Sequence, residues 1–126
     1  MAITVLLIDD NEMMWKAIAR LLTGNPGIKV VAEGMSFAQT MELATKPHPQ
    51  IVVLDLHMRD ERAVTPAQLR SCLAGSRLLA MSIWTDLETK SLAETIGAVT
   101  LLDKATLATE LIPAIKHFAR DRDRIV

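Results

Sequence analysis

Residues 3–10 read Ile3-Thr4-Val5-Leu6-Leu7-Ile8-Asp9-Asp10, an apolar run that stops abruptly at two carboxylates. Six residues is a strand length. The lack of apolar/polar alternation suits a strand buried on both faces of a parallel sheet. Four further runs of this kind follow at Ile28–Ala32, Ile51–Leu54, Arg77–Ser82 and Val99–Leu102, with Arg77–Ser82 the poorest in β-branched residues. Helical periodicity fills the gaps between them. Met14, Ala17, Ile18, Leu21 and Leu22 form one stripe, and Ala108, Leu111, Ile112, Ile115 and Ala119 form another.

Helix starts are marked by capping boxes, in which a hydroxyl and a Glu or Gln three residues on satisfy free N–H groups. The pairs are Ser36/Gln39, Thr65/Gln68 and Thr85/Glu88, and Pro66 sits at a first helical position, where its missing N–H costs nothing. Gly24, Asn25, Pro26 and Gly27 end the first helix, and Pro47 and Pro49 close the second. Pro113 removes a hydrogen bond inside the last helix unless that helix starts late. Five βα units predict an α/β fold: a five-stranded parallel sheet in a (βα)5 three-layer sandwich. Right-handed crossovers then collect all strand C-termini on one sheet edge, where ligands bind in such folds.

The composition narrows the function. The 126 residues suit a single domain spanning 1–126, and half of them are apolar, which excludes intrinsic disorder. Fourteen basic against fifteen acidic residues, 3% aromatics and no Tyr argue against direct nucleic-acid binding. Cys72 has no second cysteine for a disulfide or a zinc cluster, and His48, His57 and His117 lack ligand spacing. No apolar run approaches the roughly 18–20 residues of a membrane span, and the start lacks the basic region of a signal peptide. A soluble, cytoplasmic domain without membrane contact is expected.

Read in order, the strand ends carry Asp9-Asp10, Asp55, Ser82 and, after Asp103, Lys104. Single carboxylates in loops are usually just solvated. Three of them converging with a hydroxyl and an ammonium would repel one another unless a cation intervened. Mg²⁺ suits such a site, because it takes oxygen ligands and bridges carboxylates to phosphate. A carboxylate can also act as nucleophile and form an acyl phosphate. Glycine-rich phosphate loops are excluded by Asp9-Asp10-Asn11-Glu12, which would repel phosphate, and the same turn excludes an FMN site. A haloacid-dehalogenase-type phosphatase would need a second Asp two positions after the nucleophile, where this chain has His57.

The segments Leu-Leu-Ile-Asp9-Asp10, Val-Val-Leu-Asp55-Leu-His-Met, Met-Ser82 and Leu-Leu-Asp-Lys104 together resemble the receiver domain of bacterial response regulators, at family spacing over essentially the whole chain. The resemblance implies a flavodoxin-like strand order, 2-1-3-4-5. It also implies the site roles. Asp55 would accept a phosphoryl group from a phosphohistidine on a sensor histidine kinase or phosphotransfer protein. Asp10 would ligate Mg²⁺ directly, Asp9 largely through water, Asp55 as a carboxylate and His57 through its backbone carbonyl. Ser82 would hydrogen-bond the phosphoryl oxygen, and Lys104 would pair with it. Such a domain is a switch with weak self-phosphatase chemistry, not an enzyme, and a second copy of itself is a further candidate partner. The stretch Gly97 to Lys104 most resembles receivers that precede a helix-turn-helix DNA-binding domain, although these 126 residues contain none.

Several positions depart from the family. Ile83 replaces a small residue and is expected to crowd the phosphoryl group; Leu101 replaces the aromatic switch and is expected to blunt it. Ala105 replaces a proline that commonly follows a cis bond; without proline, cis costs roughly 2.5–4 kcal/mol, so trans is expected. The loop from Met58 to Arg62 lacks the usual Pro and Gly. Leu101, Ile83 and Ala105 favour a competing reading, a degenerate receiver that binds or dimerises without phosphorylation; the five intact site residues oppose it. Trp15 is read as core edge or kinase-docking anchor, beside Met13 and Met14. The alternating charges from Arg120 to Arg124 are read as a solvated helix end or the start of a linker. Trp84 stands two residues beyond Ser82 and is expected either to shield the phosphoryl group or to pack on the fourth helix.

Overall fold

The computed structural model describes residues 2–45, 48–58 and 64–123, so Pro47, residues 59–62 and Arg124, singled out above, lie outside the described residues. Strands β1 (Ile3–Ile8), β2 (Ile28–Gly34), β3 (Ile51–Asp55), β4 (Arg77–Ser82) and β5 (Thr100–Asp103) alternate with helices α1 (Glu12–Thr23), α2 (Phe37–Leu43), α3 (Pro66–Cys72), α4 (Leu87–Thr95) and α5 (Leu107–Asp123). All strand pairs are parallel, in the order β2-β1-β3-β4-β5. This is the flavodoxin-like order that the resemblance implied.

Successive residues of a strand point to opposite faces, so each continuous apolar run feeds two cores. Leu6, Ile8, Val52, Leu54, Leu78 and Ala80 pack on the side of α2, α3 and α4. Val5, Leu7, Ile51, Val53, Leu79 and Met81 pack on the side of α1 and α5, with Ile18, Leu22, Leu111 and Ile115. β4, the run poorest in β-branched residues, spans the expected residues and is buried after Arg77. Burial between its neighbours outweighs its propensity.

Two strand ends differ from expectation. β2 continues past Ala32 to Gly34 because its register slips by one residue opposite Val5/Leu6, which keeps Gly34 paired with Ile8. Glu33 interrupts the apolar run but is exposed on this edge strand, so it does not end the pairing. β5 begins at Thr100 and ends at Asp103, opposite Ser82, although the Val99 N–H still donates to Leu78 O at 2.8 Å. Gly34 has no room for a side chain: a Cβ there would lie 2.7 Å from Ile8 Cδ1.

The capping box expected at Thr85/Glu88 does not form. Asp86 caps α4 instead, its carboxylate accepting from the Thr89 N–H at 2.8 Å. A carboxylate caps as well as a hydroxyl and adds favourable charge at the positive end of the helix. Thr65/Gln68 forms a complete box. Ser36 accepts from Gln39 N–H, but Gln39 reaches back to Met35 N–H rather than to Ser36. Pro113 lies well inside α5, which starts after one 3-10 turn at Lys104–Thr106. Thr109, whose carbonyl has lost that N–H, is exposed to water.

Candidate functional site

Parallel pairing brings the strand ends together. β1 and β3 are neighbours with Ile8 opposite Leu54, so Asp9 and Asp55 leave the sheet side by side. β4 ends at Ser82, one residue beyond Met81, the partner of Asp55. Lys104 follows β5 at the start of the 3-10 turn. Carboxylate oxygens of Asp9, Asp10 and Asp55 all lie within 4.8 Å of one another. All five side chains named from the sequence line this carboxyl edge.

Two of the three carboxylates are not solvated loop acids, while Asp10 is half-buried. Asp9 is 0% and Asp55 4% exposed, and Ser82 is fully buried. Lys104 Nζ donates to Asp9 Oδ2 at 2.8 Å and lies 3.2 Å from Asp55 Oδ2. Asp9 Oδ1 accepts from the Asn11 N–H at 2.9 Å, and Asp55 Oδ1 from the His57 N–H at 3.2 Å. Burial pushes the Asp55 carboxyl above its ordinary range; the Lys104 ammonium opposes this, and the Asp9 carboxylate adds to it. Among the described residues, the Lys104 ammonium is set against the Asp9 and Asp55 carboxylates of this pocket. Its donors are all oxygen, which suits a hard divalent cation better than a thiolate- or imidazole-loving metal. The donor set therefore fits Mg²⁺.

The other wall of the pocket is the β4–α4 connection. Ser82 Oγ accepts from the Trp84 N–H at 2.9 Å. Trp84 is 50% exposed, and its ring meets the His57 ring edge-on, with centroids 4.6 Å apart. His57 Nε2 lies 3.4 Å from Thr89 Oγ1. Asp86 is held below the ordinary carboxylate range, first by its hydrogen bonds from Thr89 and further by His57. Thr89 and Asp86 were missed in the sequence, where Thr85/Glu88 offered a more conventional cap one residue earlier.

Of the positions that depart from the family pattern, Ile83 follows β4 and Ala105 follows Lys104, beside α1 and α5. Ile83 is exposed, Leu101 is half-buried against the core of the α2–α4 face, and Ala105 is exposed after a trans peptide bond. Among the α1 residues, Met13 is exposed, whereas Met14 and Trp15 pack against the core shared with α5, the Trp15 Nε1 buried without a partner. Trp15 is thus edge core in this fold.

Residues 5–116 match the family model described as the response regulator receiver domain. Transcriptional regulatory protein LiaR of Bacillus subtilis (strain 168) is 26% identical over 124 residues, 98% of this chain and 59% of that protein. Nitrate/nitrite response regulator protein NarL of Escherichia coli (strain K12) is 31% identical over 117 residues, 92% of this chain and 54% of that one. The chain thus spans a little over half the length of these curated relatives. Among solved structures, the signal receiver domain of a NarL protein from Mycobacterium tuberculosis superposes with a TM-score of 0.84 at 24% identity, covering 94% of this chain and 97% of that one. A LuxR-family two-component response regulator from Aurantimonas sp. SI85-9A1 gives 0.84 at 23% identity, covering 96% and 87%. At those identities the likeness speaks for the fold. The family match begins inside β1 and ends inside α5, taking in every element that builds the pocket, and this chain belongs to the response regulator receiver domain family.

Proposed function

We infer that residues 1–126 act as one receiver domain of a two-component phosphorelay, with Asp55 as the phosphoacceptor. One observation carries this reading: a buried Asp55 lies 3.2 Å from the Lys104 ammonium and within 4.8 Å of two further carboxylates, at the carboxyl edge of the sheet. A structural ion pair would not need a third acid, Asp10, beside Asp9 and Asp55. Burial makes the Asp55 carboxylate a stronger base and nucleophile, while Lys104 resists its protonation. A carboxylate oxygen of Asp55 forms the new P–O bond as the P–N bond of a phosphohistidine breaks, and the departing imidazole takes up a proton.

Asp9, Asp10, Asp55 and the backbone carbonyl of His57 would hold Mg²⁺, which supplies charge neutralisation for the transferring oxygens. Lys104 adds a second positive charge. The Ser82 hydroxyl now accepts from the Trp84 N–H and keeps its own proton to donate to a phosphoryl oxygen. The donor is a sensor histidine kinase or a phosphotransfer protein, and the setting is cytoplasmic. The DNA-directed outputs named for some relatives belong to those longer proteins. The domain changes state on phosphorylation and does not turn over a separate substrate.

The test is intact mass after incubation with acetyl phosphate and Mg²⁺. Wild type gains one phosphoryl group, a chelator prevents the gain, and Asp55→Asn abolishes it. A wild type that stays unmodified with Mg²⁺ present overturns the proposal.

A further inference from the structure

The first turn of α4 is thinly attached. Of residues 87–90 only Thr89 is buried, at 3% exposure, and Leu87 is 81% exposed. A helix end with no buried apolar residue depends on its polar contacts for position. Asp86 caps the turn from within, through the Thr89 N–H. The contact reaching outside the turn from its buried residue runs from Thr89 Oγ1 to His57 Nε2, a long hydrogen bond of 3.4 Å.

His57 also faces the other way. Its N–H donates to Asp55 Oδ1 at 3.2 Å, and its ring abuts the Trp84 ring, whose own N–H rests on Ser82 Oγ. The one residue therefore has its backbone at the acidic pocket and its side chain on both segments that form the opposite wall. Leu101, standing where the family's switch is aromatic, has no ring or polar atom with which to make such a link.

We propose that His57 is a positioning residue that couples occupancy of the acidic pocket to the first turn of α4, with Thr89 and Trp84 among the contacts that hold its ring. The coupling rests on the reading that the pocket holds Mg²⁺ and that the His57 carbonyl faces it. A ring held by Thr89 and Trp84 restricts the backbone of its own residue, as outer partners of metal ligands commonly do. Coupling between two sites is reciprocal in free energy: what α4 contributes to cation affinity, the cation returns as order in α4.

Thr89→Val removes the hydroxyl at almost constant volume, and Thr89→Ser keeps it. Two readouts are needed: the Mg²⁺ dissociation constant by calorimetric titration, and amide hydrogen exchange of residues 87–90 with and without Mg²⁺. Wild type should show slower exchange in 87–90 when Mg²⁺ is added. Thr89→Val should bind Mg²⁺ about tenfold more weakly, the low end for loss of an outer partner, and lose that slowing. Thr89→Ser should restore both to within about twofold of wild type, which a general packing defect would not do. His57→Phe keeps a ring against Trp84 but no nitrogen for Thr89, and should match Thr89→Val. Wild-type affinity and wild-type exchange response in both Thr89→Val and His57→Phe overturn the coupling alone. A wild type that takes up no Mg²⁺ overturns the metal reading and the coupling with it.

Discussion

On the β1–β3 flank of the pocket, Asp9 and Asp55 are buried and tied to the half-buried Lys104 that follows β5, whereas the β4–α4 flank shows Ile83, Trp84 and Leu87 to solvent. Charges facing one another away from water interact strongly, so substitutions on the first flank have large consequences. On the second flank, side chains can change without exposing a charge or opening a cavity. Ile83, a departure from the receiver pattern, is exposed there, and Leu101 is half-buried. The acids, hydroxyl and lysine remain. One flank is held by electrostatics, the other by a few polar and aromatic contacts.

The sharpest test of the first flank is Lys104→Met. It leaves Asp9 and Asp55 facing each other without the ammonium that lies 2.8 and 3.2 Å from them. Removing one partner of a buried ion pair should cost about 3 kcal/mol, or roughly a 10 °C fall in melting temperature for a domain of this size. Mg²⁺ should recover part of that loss. A variant that melts within a degree of wild type without Mg²⁺ would dissolve the contrast between the flanks.

Asp10→Ala probes the same flank through its ligand. In wild type, Mg²⁺ at 100 times its dissociation constant should stabilise the fold by about 2.7 kcal/mol. The variant should lose this response in thermal melts, and a Mg²⁺-dependent rise equal to that of wild type would exclude Asp10 as a direct ligand.

The two flanks were also unequally legible in the sequence. Asp9, Asp55, Ser82 and Lys104 follow apolar runs long enough to mark strand ends, so parallel topology puts them on one sheet edge, and the strand order implied by the resemblance brings them together. β3 shows why: all five of its residues are buried, and the last of them is the acid. The start of α4 was not legible in the same way. Thr85/Glu88 and Asp86/Thr89 are alternative caps one residue apart, and local pattern does not rank them. Contacts from α4 decide between them, because the chosen cap buries Thr89 within reach of His57. Position 57 was read mainly through its carbonyl, since a histidine side chain in a loop usually faces solvent. Its long-range partners are set by the packing of α4 against the sheet, which no local spacing encodes. The one-residue register slip in β2 is likewise invisible, as Val30, Val31 and Ala32 are equally apolar.

Asp55→Asn gives a smaller, pH-dependent effect on stability. Burial raises the Asp55 carboxyl above its unfolded value, so the native state holds a proton that the unfolded chain has already released. The stability it contributes is fully present below the ordinary carboxylate range and is lost as pH rises through the raised native value. Asparagine resembles the neutral acid and does not titrate, and Lys104 keeps Asp9 as its partner. Without Mg²⁺, Asp55→Asn should therefore melt a few degrees above wild type at neutral pH. The gap should close on acidification through that window. A gap that is constant or that widens toward acid would reverse the assigned direction.

The smallest expected effect belongs to the exposed flank and concerns the lifetime of the phosphorylated form. Trp84 reaches His57 with its ring and Ser82 Oγ with its backbone N–H, and half of its indole is exposed. An indole that covered an aspartyl phosphate from there would hinder in-line attack by water without touching the reacting atoms. Trp84→Ala should shorten the lifetime about threefold, roughly 0.65 kcal/mol of barrier, followed by the decay of the phosphorylated mass. Stability should fall little, since half the ring is already in water. In a Trp15→Phe background Trp84 is the sole tryptophan, and beryllofluoride with Mg²⁺ should change its emission if the ring senses the occupied pocket. An unchanged lifetime together with a flat emission signal would remove Trp84 from the mechanism. The proposed phosphoacceptor role of Asp55 would stand, because it depends on the other flank.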